Sequence, residues 1–215
     1  MELNVKVVKQ VMRYYIADLH FFHEKLNTKM DCRGFASMDE MHAYMIDRWN
    51  KKVRPGDEVV IIGDLSFGDA NQTNEVLDRL YGKLFLITGN HDHVIKHRLF
   101  RTDRFEWIKP YEELNDNNRK VVLCHYPIMC YNGQYRVDKE GNPKSYMLYG
   151  HVHDTMDQRL LEQFQETTRK TKTITASGEE RLIPCNMINC FCMYSDYEPL
   201  SLDEWIGLDK RRREK

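Results

Sequence analysis

The 215-residue sequence carries almost no excess charge: 32 basic residues against 33 acidic ones leave a formal net charge of −1. That balance gives no global attraction to nucleic acid or to an anionic membrane. Continuous apolar runs are missing from the start of the chain, where residues 1–15 alternate valine with lysine, asparagine and glutamine. Neither a signal peptide nor a membrane span is expected there, and the expected location is cytoplasmic. The six cysteines, Cys32, Cys124, Cys130, Cys185, Cys190 and Cys192, lack the paired Cys-x2-Cys spacing of structural zinc. In a chain of this size without an export signal they read as free, buried thiols and not as a disulfide framework.

With 41% hydrophobic and 30% charged residues, the chain suits one globular domain, or at most two small ones. Residues 1–12 are polar and weakly patterned, and read as an arm or an extra edge strand. Arg13 to Ala17, rich in aromatic and β-branched residues, predicts the first core strand. Ser37 and Glu40 have capping-box spacing, and Met41, Tyr44, Met45 and Trp49 recur at helical spacing, predicting a helix over about 38–51. Glu58 to Ile62 predicts a buried strand, Asn71 to Leu80 a helix and Leu84 to Ile87 a third strand. This β-α-β-α-β order argues for a sheet with helical crossovers.

Beyond it, His93 to Phe100 predicts a short helix, and Phe105, Trp107 and Tyr111 are expected in the core. Residues 112–114 and 119–124 predict a hairpin, and 128–145 a long surface loop. Ser145 to Tyr149 predicts a strand. Thr155 and Gln158 suggest a second capping box, opening a helix to about Lys170 with Leu160, Leu161 and Phe164 on one face. Residues 171–175 and 181–192 are β-prone, Ser201 to Glu204 starts a last short helix, and 208–215 read as a basic tail.

Five apolar runs end in residues that bind metals: Asp18 and His20, then Asp64, then Asn90 with His91, then His125, and finally His151 with His153. In a strand, residues two apart point the same way, so Asp18 and His20, like His151 and His153, can reach toward one centre. Gly63, Gly89 and Gly150 precede these residues and are expected to permit a tight turn at each strand end. Taken singly, Asp64 could cap a helix, Asn90 could sit in a turn, and His125 could belong to a loop. Their joint placement points to one polar crater. His42, His93 and His97 are set aside as surface or satisfied core histidines.

The motifs Asp-Leu-His, Gly-Asp, Gly-Asn-His-Asp, the isolated His125 and Gly-His-Val-His resemble those of the calcineurin-like metallophosphoesterases over about residues 13–205. Ala17 to Glu24 most resembles the small bacterial and phage-type phosphohydrolase branch. The resemblance implies an α/β fold of the α+β type, a four-layer α-β-β-α sandwich of two mixed sheets, with the domain over 13–207. It implies two divalent metal ions. Asp18, His20, Asp64 and His153 would hold one, and Asn90, His125 and His151, with Asp64 as bridge, the other. Mixed oxygen and imidazole donors suit manganese, iron, nickel or zinc. Such a pair outweighs the charge of two carboxylates, attracts phosphate and supplies hydroxide at neutral pH. His91 is expected as general acid, with Asp92 either orienting that imidazole or making a buried structural bond, and His23 either on the rim of the site or an ordinary exposed histidine.

One departure narrows the function. Leu65 to Asp69 stand where protein serine/threonine phosphatases resembling this motif carry Gly-Asp-x-Val-Asp-Arg-Gly, so Phe67 and Gly68 replace the second Asp and the phosphate-binding Arg. A protein phosphatase is disfavoured. The expected activity is hydrolysis of phosphate mono- or diesters, with a small phosphate ester as partner, no membrane, and loops 21–37 and 126–145 setting specificity. Two alternatives are a non-catalytic scaffold that binds a protein and a nucleic-acid processing factor using Lys210 to Arg213 with Arg98, Arg101 and Arg104.

Overall fold

The structure, a computed structural model, describes residues 10–175 and 177–214. Of the arm expected over 1–12, residues 1–9 lie outside the described residues; 10–12 form no strand, and the Met12 amide donates to Asp57 Oδ1 at 3.1 Å.

Four strands, β1 (Arg13–Ile16), β2 (Glu58–Ile62), β3 (Lys83–Ile87) and β4 (Phe105–Lys109), form one sheet in that order, parallel throughout. After the short α1 (Glu24–Thr28), two longer helices make crossovers, α2 (Met38–Lys52) into β2 and α3 (Ala70–Arg79) into β3. The second sheet runs β10 (Met187–Asn189), β7 (Ser145–Tyr149), β6 (Arg119–Cys124), β5 (Tyr111–Asp116). Here β5 and β6 form the expected antiparallel hairpin and the other pairs are parallel. A small hairpin of β8 (Lys172–Ile174) and β9 (Glu180–Leu182) follows α4 (Met156–Lys170).

Side-chain alternation divides the core into three. Tyr14, Ile16, Val59, Ile61, Leu84 and Leu86 pack with Met41, Met45 and Trp49 of α2 and Val76 and Leu77 of α3. From the opposite face of the same strands, Tyr15, Val60, Ile62 and Ile87 meet Val121, Leu123, Tyr146 and Leu148 of the second sheet. The outer face of that sheet, through Val122, Met147, Tyr149 and Met187, packs with Leu161 of α4. Period-two alternation thus gives each sheet two apolar faces and stacks helices, sheet, sheet and helix. The last helix, α5 (Leu202–Arg213), adds Leu202 and Trp205 to the core between the sheets, and the Trp205 indole donates to the Tyr15 carbonyl at 2.8 Å.

Several expectations change. Only one of the two sheets is mixed. The 93–100 helix contracts to one 3-10 turn, His93–Lys96. Phe105–Lys109 is an edge strand in which Phe105 is buried, whereas Tyr111 is exposed. Helix α3 starts at Ala70 under a reciprocal capping box of Asp69 and Gln72. Around Ser37 and Thr155 the capping box is incomplete: Glu40 turns back to the Ala36 amide, and Gln158 turns inward to the Tyr149 hydroxyl and the Asn189 amide. Leu160 is 55% exposed while Leu161 is buried. The basic run Lys210 to Arg213 is the last turn of α5, with Arg212 stacked on Tyr194 and Arg213 paired with Asp209. All six cysteines are free, but Cys32 and Cys130 are exposed instead of buried. No helix among the described residues is long and apolar enough to cross a membrane.

Candidate metal centre

The carboxyl ends of β1, β2, β3, β6 and β7 deliver their ligand residues to one place. The route differs from the extended backbone expected. Asp18, His20, Asp64, His151 and His153 have φ of 57°, 48°, 55°, 72° and 48°, all in the left-handed region. Each such residue costs on the order of 1–3 kcal/mol and persists only where its surroundings over-determine it. Here those surroundings are visible: the Asp18 and His20 amides donate to the Gly63 and Asp64 carbonyls at 3.1 and 2.9 Å. The His151 amide donates to Asp18 Oδ1, and the His91 amide to Asp64 Oδ1, both at 2.9 Å.

The glycines act mainly by being small. Gly63 does need its φ of +83°, but a Cβ there would also lie 2.2 Å from His125 Nδ1. Gly89 and Gly150 are not in the left-handed region; a Cβ on Gly89 would lie 2.2 Å from Asp64 Oδ1, and one on Gly150 2.7 Å from Asp18 Oδ2. Close approach, more than turning, requires them.

Two sets of donors converge, Asp18 with His20 and His153, and Asp18 with Asp64 and His125, the atoms of each set lying within 4.8 Å of one another. Asp64 Oδ2 sits 3.4 Å from both His20 Nε2 and His125 Nε2. Asn90 Oδ1 lies 3.0 Å from His125 Nε2 and 2.8 Å from His151 Nδ1, so all seven expected ligand residues meet.

A cation fits this donor set. Asp18 is wholly buried and its Oδ2 has no hydrogen-bond partner among the described residues, an arrangement that is costly for a carboxylate. Burial pushes the Asp18 carboxyl up to about 6, against the pull of His153 and His125. For Asp64 burial is overcome by the His125 bond, His20 and the His91 amide, which bring it down to about 2. His125 moves the other way, to about 9, because its bond to Asp64 and the nearby Asp18 outweigh its burial. Burial holds His20 well below the ordinary range and, with His125, lowers His151, keeping both imidazoles in the neutral form that binds metals. His20 Nε2 and His153 Nε2 face each other at 3.1 Å, a contact that needs a proton or a metal ion between two lone pairs.

His91 stands exposed at the mouth, its ring 5.7 Å from that of His20 and 4.7 Å from Phe67. Asp92, expected either to orient that imidazole or to make a buried structural bond, does the second. Its carboxylate accepts from the amides of Gly89, Leu65 and Asp64 at 2.7, 2.8 and 3.0 Å and, among the described residues, makes no hydrogen bond to the His91 ring. It is a positioning residue that ties the ends of β2 and β3 together. His23 caps α1 through its ring nitrogen and packs on Phe67 at 4.0 Å, which places it on the rim. His42 is buried and accepts the Phe22 amide, a satisfied core histidine. His93 and His97 line a groove beside His91.

Sequence reasoning missed Asp31 and Arg33, because neither ends an apolar run. Asp31 Oδ1 lies 2.8 Å from His153 Nδ1, and the Arg33 guanidinium is buried against the start of the crater. Their location inside loop 21–37, already expected to face the site, was the available signal.

The sequence model for the calcineurin-like phosphoesterases matches residues 14–185. An uncharacterised protein of Methanocaldococcus jannaschii, MJ1445, is 29% identical over 197 residues, which is 91% of this chain and 89% of that one. The Gene 66 protein of Mycobacterium phage D29 is 26% identical over 161 residues, 65% of this chain and 77% of its own. In three dimensions the chain is similar to the Aquifex aeolicus protein AQ665, described as of unknown function, with a TM-score of 0.63 and 22% identity over 94% of this chain and 99% of that one. The family match covers most of the domain and both strands that open and close the donor set, and the chain belongs to the calcineurin-like phosphoesterase family.

Proposed function

We propose that the protein hydrolyses small phosphate esters at a centre of two divalent metal ions. The observation that carries this reading is the placement of Asp64 Oδ2 at the same distance, 3.4 Å, from His20 Nε2 and His125 Nε2, so that one carboxylate faces two donor groups. Asp18, His20 and His153 form one half, and Asn90, His125 and His151 the other. Manganese, iron, nickel or zinc would polarise a phosphoryl oxygen there and lower the pKa of a bound water toward about 7.

The chain's own residues supply the rest. His91, exposed and next to His20, holds the proton that the departing oxygen takes up. Asp64 orients His91 through its backbone amide. Beside His91 a groove of about 500 Å³, walled by Phe67, Val94, His93 and Leu99, receives the organic part of the leaving group. No lysine or arginine lines that groove among the described residues, which suits a neutral alcohol as leaving group.

Several basic residues of the nucleic-acid alternative make internal contacts, which favours the small phosphate ester as partner. Arg101 pairs with Asp78 and Asp103, Arg104 donates to three backbone carbonyls, and Arg212 covers Tyr194. The free cysteines suit the reducing cytoplasm.

A panel of divalent metals against a phosphomonoester and a phosphodiester reporter tests the proposal. Hydrolysis of one class with at least one metal, abolished by chelation, is expected. His91→Ala should retain its metals and lose turnover by about 10²- to 10⁴-fold. No hydrolysis of either ester with any of the metals would give the place to the non-catalytic scaffold.

A further inference from the structure

We propose that Asp31 and Arg33 act as one positioning pair that fixes the Asp18, His20 and His153 half of the centre from outside its ligands; the proposal rests on that half being a metal site. The two residues lie between α1 and α2, yet they hold the ends of two strands from different sheets. Asp31 Oδ1 is 2.8 Å from His153 Nδ1, after β7. Asp31 Oδ2 accepts from Arg33 Nε at 3.2 Å and Nη2 at 3.1 Å. The same guanidinium donates from Nη1 to the Leu19 carbonyl at 2.7 Å and from Nη2 to the Asp18 carbonyl at 3.0 Å, after β1. The Arg33 side chain has 0% exposure and that of Asp31 7%.

Each contact has a definite consequence. A carboxylate on Nδ1 keeps the proton there and leaves the lone pair of His153 on Nε2, the nitrogen that faces His20. Arg33 satisfies two successive carbonyls of the left-handed Asp18-Leu19-His20 turn, holding the peptide in a conformation that its side chains do not favour. Lysine cannot copy this, because the job takes a planar fork with several fixed donors. A buried ion pair is a poor source of stability compared with apolar packing, so its presence here is better explained by what it positions. The other half of the centre is held differently: His125 Nδ1 bonds to the backbone carbonyl of Ile62 at 3.0 Å, with no part of the pair involved. The effect of removing the pair should therefore be one-sided.

The test is a calorimetric titration of the metal-free wild type, Asp31→Asn and Arg33→Lys with manganese and with zinc, together with ¹⁵N NMR of the His153 ring in the metal-free proteins. Wild type should show two classes of binding. In both variants one class should weaken by about 10- to 100-fold while the other keeps its affinity. The His153 Nδ1 proton should be protected in wild type and in fast exchange in Asp31→Asn. Asp31→Glu, which keeps the charge, should recover part of the lost affinity. Equal weakening of both classes, or unchanged affinity with only a lowered melting temperature, would overturn the proposal. A wild type that binds two ions and hydrolyses no ester would remove the hydrolase reading and leave this one standing. Normal hydrolysis with unaltered metal binding in Asp31→Asn would do the reverse.

Discussion

The two sheets bring different kinds of donor to the centre. Of the expected ligand residues, the parallel sheet contributes the oxygen donors Asp18, Asp64 and Asn90 along with His20, and places His91 beside them; the mixed sheet contributes the imidazoles His125, His151 and His153. The carboxylates of the first sheet are also its structural hubs, since Asp18 and Asp64 accept backbone amides while facing the imidazoles. Charge is thus set by one sheet and enclosure by the other. Changes to Asp64, the carboxylate that faces both halves, should act on both, and changes to the imidazoles of the mixed sheet on one half or on stability alone.

The sharpest way to break this contrast is Asp64→Ala. Loss of the shared carboxylate should abolish binding at both halves and lower kcat/KM by at least about 10³-fold, roughly 4 kcal/mol of transition-state stabilisation. Retention of one metal, measured by elemental analysis after gel filtration, would show that the halves are independent. Next in size is metal removal: with ions at about 100 times Kd, chelation should cost about 2.7 kcal/mol of unfolding free energy, visible as a lower melting temperature. Gly89→Ala follows, because its Cβ would meet Asp64 Oδ1 at 2.2 Å. It should cost about 1–3 kcal/mol by overpacking, whereas Gly56→Ala, with nothing within 4 Å, should be near neutral in the same denaturant titration.

The smallest effect belongs to the far edge of the mixed sheet. Lys120, then Tyr111 and Asn132, hold the Glu113 carboxyl down to about 2, below its ordinary 4.5. A carboxyl lowered on folding adds stability above the unfolded value, and that stability fades as pH falls toward the folded one. Glu113→Gln should therefore be slightly less stable than wild type at pH 6, with the gap closing between about pH 4.5 and 2. A gap that widens on acidification would contradict the sign.

Much of this site was legible in the sequence because its donor residues end apolar strands, a pattern that survives without knowing the sheet order. The five strand ends were visible in this way, while β4 was not: Phe105-Glu106-Trp107-Ile108-Lys109 mixes charge into an edge strand, so neither alternation nor a continuous apolar run marks it. The role of Asp92 stayed open because its three acceptor contacts are made to β2 and β3 ends that only the fold brings near. Asp31 was hidden for the same reason, lying 122 positions from the histidine it holds. The left-handed backbone at Asp18, His20, Asp64, His151 and His153 has no compositional mark, since none of these is glycine. Leu160 and Leu161 show the limit of counting apolar residues: a one-residue step turns a helix side chain by about 100°, enough to exchange core for solvent.

Gly63 and Gly150 carry a consequence for how related chains are recognised. A side-chain carbon on Gly63 of the first sheet would strike His125 of the second, and one on Gly150 of the second would strike Ala17 and Asp18 of the first. The dipeptides Gly63-Asp64 and Gly150-His151 therefore gauge the gap between two sheets as much as they advertise chemistry. A descendant that lost His125 would lose the main contact that bars a side chain at Gly63, whereas the Ala17 Cβ would still bar one at Gly150, so Gly150 marks the spacing of the two sheets even where the ligands are gone.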